Sequence, residues 1–145
     1  MHLATKEPED VSDAEVDAGG VEALWCIPAG SDPDRALLDN HMGGSVVTSM
    51  HSERKAAAHI AKAAGIRSLV LNFRRSPEHK FPAQLEDVDN AYAWLLDQGY
   101  RAENIASVRN SIGGVSRSAL PCGYAIKARR CPEQSLPSLL CSTPR

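Results

Sequence analysis

Apolar and polar positions fall into short blocks along the chain, and their spacing switches between a period of two and one near four. Ala14–Ala18 and Val21–Pro28 read as two strand-like stretches, and Gly19-Gly20 between them supplies the positive φ angles of a tight hairpin turn. Ser31-Asp32-Pro33-Asp34 has the composition of a loop, and Arg35–Asn40, with Ala36, Leu37 and Leu38, reads as a short buried strand. A helix is predicted next, with Ser52 as N-cap, Ala56, Ile60, Ala63 and Ala64 as its apolar stripe, and Gly65 as its C-terminal stop. Ser68–Phe73 is a continuous apolar run, as expected of a strand covered on both faces. After a loop at Arg74–Pro82, a second helix is predicted over Ala83–Gln98, with Leu85, Val88, Tyr92, Leu95 and Leu96 as its stripe and Gly99 ending it. Ile105–Val108 is the last strand. Strands alternating with helices of this length predict an α/β fold with a mostly parallel sheet and right-handed crossovers, preceded by an N-terminal hairpin.

Composition narrows the class. The chain has 145 residues, enough for one domain, and 43% apolar with 23% charged residues favours a folded core over wholesale disorder. A formal net charge of -2 and a pI near 6.2 argue against nucleic acid as a partner, since its binders carry a basic face or stripe. No apolar run approaches the roughly 18 residues that a membrane helix needs. The opening MHLATKEPEDVSDAE places acids where a signal peptide has its apolar stretch, so a cytoplasmic location is expected. Of the thiols, Cys26 stands alone, while Cys122, Cys131 and Cys141 fall near the end. No C-x-x-C pair occurs and no histidine follows His79, so a zinc site built around these thiols is not expected.

Composition changes abruptly after Gly114. Val115–Arg145 holds five bases (Arg117, Lys127, Arg129, Arg130 and Arg145), a single acid (Glu133) and four prolines. Neither period persists there. The expected organisation is a flexible arm over residues 1–13, a folded unit over 14–114, and an irregular, poorly ordered tail over 115–145.

Three motifs carry chemistry. Asn110-Ser111-Ile112-Gly113-Gly114 follows the last strand and fits most of G-x-S-x-G, the strained strand-to-helix turn that lifts a serine hydroxyl above a sheet; Arg109 stands in place of the leading glycine. His41-Met42-Gly43-Gly44 follows the third strand about 70 residues earlier and is similar to the HGGG-type loop whose backbone N–H groups form an oxyanion hole. Asn72-Phe73-Arg74-Arg75-Ser76-Pro77-Glu78-His79-Lys80-Phe81-Pro82-Ala83 closely resembles the YRLAPEHPFPA segment of the hormone-sensitive-lipase-like branch of the α/β-hydrolases. Together, in this order and each at a strand end, they make residues 11–114 resemble the N-terminal half of that fold.

The resemblance implies hydrolysis of small carboxylic esters through a serine acyl-enzyme, as an esterase or lipase, without metal or cofactor. It makes Ser111 the nucleophile and assigns the oxyanion hole to the N–H groups of Gly43, Gly44 and Ile112. It gives His41 a loop-shaping role, and Arg74, Glu78 and His79 the bracing of their own loop. The family's catalytic acid and histidine follow the serine many tens of residues later. Only 34 residues follow Ser111 here, with Glu133 and no histidine. The chain therefore reads as truncated before its base, and little hydrolysis is expected: losing the base costs a well-studied serine protease on the order of a million-fold in turnover. Met42 and Arg109, where the motifs have glycine, are expected to distort the site, and Ile105–Val108 is expected to leave an open edge suited to self-association. A non-catalytic binding or self-assembling half-domain and a non-functional remnant stay open as alternatives.

Other features have plainer readings. Ser52-Glu53-Arg54-Lys55 matches S-x-x-K of penicillin-binding enzymes without their other motifs, so Ser52 reads as a helix cap. His59 reads as an ordinary helix residue, Glu86, Asp87 and Asp89 as complements of the helix dipole, and Arg129-Arg130 as a solvated pair. Trp25, Tyr92 and Trp94 read as core and flank residues rather than a stacking platform.

Overall fold

The structure is a computed structural model that describes residues 6–40 and 49–109. Five strands and two helices follow one another as β1 (Val11–Asp17), β2 (Glu22–Pro28), β3 (Asp32–Asn40), α1 (Met50–Ala64), β4 (Ile66–Leu71), α2 (Ala83–Asp97) and β5 (Ile105–Arg109). The strands form one sheet in the order β1-β2-β4-β3-β5. It is mixed: β4, β3 and β5 run parallel, and β2 and β1 extend it antiparallel. Among the described strands β5 is the last and pairs only with β3. The predicted Val115–Arg145 tail lies outside the described residues.

The hairpin turns as its glycines require. Gly19 and Gly20 have φ of 73° and 88°, and Ala18 N–H donates to Val21 O at 2.8 Å. A side chain at Gly19 would also meet Asn90 O of α2 at 3.0 Å, so the turn needs glycine for space as well as for conformation. β1 starts at Val11, taking in three residues that the sequence places in the arm. β3 likewise starts at Asp32, within the predicted loop, and the loop chemistry survives as a register shift between Asp32 and Ala36, where Asp34 N–H donates to Asp32 Oδ1 at 2.9 Å.

Alternation along the strands sends two apolar sets to opposite faces. Leu24, Cys26 and Val70 pack with Met50, Ala57 and Ala58 of α1. Trp25, Leu38, Leu69 and Leu71 pack with Val88, Ala91 and Leu95 of α2. The helices therefore cover opposite faces, and β4, between β2 and β3, is buried from Ser68 to Leu71. Each fully buried aliphatic side chain of this kind contributes about 1.5–3 kcal/mol.

The buried face of α1 differs from the predicted stripe. Glu53, Ala57, Ala58 and Ala61 are buried, whereas Ala63 and Ala64 are exposed and Ala56 and Ile60 only half-buried. Alanine is small enough to be tolerated on either side, so an alanine-rich helix marks its inner face weakly. The cap also moves: Ser49 is the N-cap, and Ser52 sits one turn in, its Oγ accepting from Ser49 N–H at 2.9 Å. Gly65 closes the helix with φ of 67°, as predicted.

Both helices bury an acid on the inner face. On α2 the series Ala83, Asp87, Ala91 and Leu95 faces inward at four-residue steps. Asp87, predicted as a solvated dipole complement, instead receives a guanidinium fork: Arg74 Nε donates to its Oδ1 at 2.9 Å, and Arg74 N–H to its Oδ2 at 2.7 Å. On α1, Glu53 is 4% exposed and faces the sheet near Asp39 of β3, itself 8% exposed. Burial, then the nearby Glu53 carboxyl, pushes Asp39 up from 3.8 to about 7. Cys26 on the same face is pushed up to about 12, mainly by burial and then by Asp13, so its thiol stays protonated.

Two predictions follow from these acids. A carboxyl whose folded value lies above its unfolded one binds more protons when folded, so Asp39 makes stability fall as pH rises from about 4 to about 7, and level off above. Denaturant titrations of Asp39→Asn should lose that slope and show a variant more stable than the parent on the alkaline side; an unchanged slope would contradict this. Asp87→Ala leaves the Arg74 backbone N–H without its acceptor and should lower stability by about 1–3 kcal/mol, measured the same way.

Candidate active site

The parallel pairing of β3 with β5 brings together the strand ends at which the sequence places its candidate site. Leu38 lies opposite Ser107, Asp39 opposite Val108 and Asn40 opposite Arg109. Asn40 and Arg109, the residues just before His41 and Asn110, therefore end side by side on strands about 4.8 Å apart. Both leave at the carboxyl ends of parallel strands, the edge where open α/β sheets place their ligands. Arg109 ends β5 in regular register with Asn40, the last described pair of the ladder.

Polar contacts pin these two ends together. Asn40 is 2% exposed, and its Nδ2 donates to Ser107 Oγ at 3.5 Å, while Ser107 Oγ donates to Leu38 O at 3.3 Å. The Oδ1 of Asn40 is buried with no hydrogen-bond partner among the described residues. Ser49, the N-cap of α1, and Met50, which is buried against the sheet, are the next described residues after β3.

The third parallel strand, β4, leads through Phe73 to the loop 74–82. Arg74 fixes that loop to α2: besides its fork on Asp87, its Nη2 donates to Ala83 O at 3.2 Å and to Glu86 Oε2 at 3.0 Å. Hydrogen bonds to these acids hold the guanidinium above its ordinary range, so it stays charged. Of the other two residues expected to brace the loop, Glu78 is exposed and its side chain makes no hydrogen bond or ion pair among the described residues. His79 is exposed and holds the loop through its backbone: its N–H donates to Arg75 O at 2.9 Å, and its carbonyl accepts from Gln84 Nε2 at 2.9 Å. Asp87 is the bracing partner that sequence reasoning missed. An acid at a four-residue step between Ala83 and Ala91 was the available signal.

His41, Gly43, Gly44, Ser111 and Ile112 lie outside the described residues, as does Met42. Three histidines are placed. His51 and His59 are exposed on α1, with His51 Nε2 3.9 Å from Glu15 and His59 Nε2 3.1 Å from the Lys6 carbonyl. Both partners belong to the N-terminal strand and the segment before it, and His79 belongs to the 74–82 loop. No group of three or more His, Cys, Asp or Glu among the described residues is placed to hold a metal ion. No helix among them is long and apolar enough to cross a membrane.

Comparison with known proteins agrees with this arrangement. A family profile described as alpha/beta hydrolase fold matches residues 37–130, a stretch that runs past Gly114, where the motif resemblance stops. The chain is 38% identical over 106 residues to an acetyl-hydrolase of Streptomyces hygroscopicus, covering 72% of this chain and 35% of that protein. It is 31% identical over 118 residues to an ethyl acetate hydrolase of Pseudomonas putida, covering 74% and 37%. Among solved structures, an esterase of the bacterial hormone-sensitive lipase family superposes with a TM-score of 0.82 at 36% identity, over 87% of this chain and 42% of that one. The chain thus spans 35–37% of the length of these two curated relatives. With the strand order, the paired strand ends and the matched profile in agreement, the chain belongs to the α/β-hydrolase family, as the N-terminal portion of a hormone-sensitive-lipase-like esterase fold.

Proposed function

We propose that this chain carries the nucleophile and the oxyanion hole of a carboxylic-ester hydrolase acting on small acyl esters. The observation behind this reading is the register of Asn40 against Arg109, which starts the glycine loop and the serine turn from adjacent strand ends. Ser111 Oγ attacks the ester carbonyl carbon and gives its proton to a base. The N–H groups of Gly43, Gly44 and Ile112 stabilise the resulting oxyanion. Collapse expels the alcohol, which takes up the proton, and leaves an acyl-serine; water then releases the carboxylic acid and restores the hydroxyl. Acetyl and ethyl acetate hydrolases among the relatives support a short acyl group.

The family pattern places the base for Ser111 downstream of the serine. No histidine follows Ser111 in the sequence, and His51 and His59 are engaged at the N-terminal side of the molecule. An oxyanion hole without a base retains roughly a thousand-fold over water. The 145-residue polypeptide should therefore hydrolyse p-nitrophenyl acetate no faster than its Ser111→Ala variant. Fused to the remaining downstream portion of the Streptomyces acetyl-hydrolase, it should turn the ester over, and Ser111→Ala in that fusion should abolish turnover. A folded fusion with no activity, or one that Ser111→Ala leaves active, would overturn the assignment.

A further inference from the structure

A cavity lies at the opposite end of the sheet from the Asn40–Arg109 edge. It encloses about 620 Å³ where the parallel strands begin, and its walls include Trp25, Asp34, Arg67, Trp94, Tyr100 and Arg101. That volume is within the range of small-molecule sites. Asp34 is near the start of β3, Arg67 near the start of β4, and Tyr100 shortly before β5, so this cavity is separated from the Asn40–Arg109 edge by the length of the strands.

Its chemistry is specific. The Trp25 ring lies 6.5 Å from Trp94 and 6.2 Å from Tyr100, centroid to centroid, at tilts of 43° and 32°. Trp25 belongs to the buried core, with Trp94 and Tyr100 packed on its flank, and the three rings form an aromatic wall that their separation in sequence conceals. Arg67 stands over it, its Cζ 5.9 Å from the Trp25 centroid. Arg67 Nη1 donates to Tyr100 Oη at 3.3 Å, while its Nε is buried without an acceptor. No carboxylate among the described residues pairs with this guanidinium, although Arg74 and Arg54 each hold acids. A half-buried guanidinium with one neutral partner is under-satisfied, and a planar anion is its best complement. The second arginine at the cavity, Arg101, is already paired with Glu103. Asp34, exposed at the same cavity, disfavours a dianion.

We propose that this cavity binds a small aromatic monocarboxylate, its ring against the Trp25–Trp94–Tyr100 wall and its carboxylate on Arg67. The site is independent of the ester-hydrolase reading.

Trp25 and Trp94 are the only tryptophans in the sequence, so intrinsic fluorescence reports on this cavity alone. Titration of the 145-residue protein with benzoate should give a saturable change, and benzamide, of the same shape without the charge, should bind at least roughly tenfold more weakly. Arg67→Gln should weaken benzoate about tenfold and leave benzamide unchanged, with circular dichroism confirming the fold. Tyr100→Phe, which removes the hydroxyl that orients Arg67, should weaken benzoate severalfold and keeps the test valid if Arg67→Gln fails to fold. No saturable response, equal binding of benzamide, or unchanged benzoate affinity in the folded variants would overturn the proposal.

Discussion

The parallel ladder between β3 and β5 is the constraint on which the rest of the structure depends. A period of two along each strand means that a slip of one residue would turn every side chain to the other face. Leu38 would leave the α2 core, Asp39 would leave its place beside Glu53, and the two segments that follow the ladder would no longer start level. The register is held from both sides. Leu38 and the half-buried Ile105 pack into the α2 core, and Asn40, Ser107 and Leu38 are joined by hydrogen bonds across the strands. Packing and polar contacts thus agree on one alignment, and that alignment brings two distant stretches of sequence together at one edge.

Buried acids surround that edge. Asp87 takes Arg74 and fixes the loop after β4, so its charge is matched by hydrogen bonds to a cation. Asp39 and Glu53 are carboxyls on facing elements, and their mutual repulsion and burial favour a proton on Asp39 near neutrality. They lie at the last strand residue but one before the 41–48 segment and in the first turn of the helix after it. A buried acid on one helix therefore braces a loop, while one on the other helix, across the sheet, makes stability depend on pH. The difference lies in the partner: a guanidinium for Asp87, a second acid for Asp39.

Much of this was legible in the sequence, for identifiable reasons. The Gly19-Gly20 turn, the Ser68–Leu71 run and the Gly65 stop are encoded by neighbours within a few residues, where conformational preference acts directly. The family was legible because its motifs are local strings at strand ends, whereas the residues proposed for the site lie outside the described residues. Strand order was not, because the insertion of β4 between β2 and β3 is decided by contacts far apart in the chain. Nor was the inner face of α1, where alanines sit on both sides. Asp87 was read as a complement of the helix dipole because an acid in a first turn usually is one; only its place on a buried four-residue series distinguishes it. Trp25, Trp94 and Tyr100 meet because β2 and the end of α2 pack together, which no spacing between positions 25, 94 and 100 reveals.

The most direct test is nuclear magnetic resonance on the isotopically labelled protein, reading backbone contacts between β3 and β5. The account predicts cross-strand contacts joining Asp39 to Val108 and Asn40 to Arg109, in parallel geometry. Contacts displaced by one residue, or a β5 that pairs with a strand other than β3, would separate the serine turn from the glycine loop and contradict the shared site.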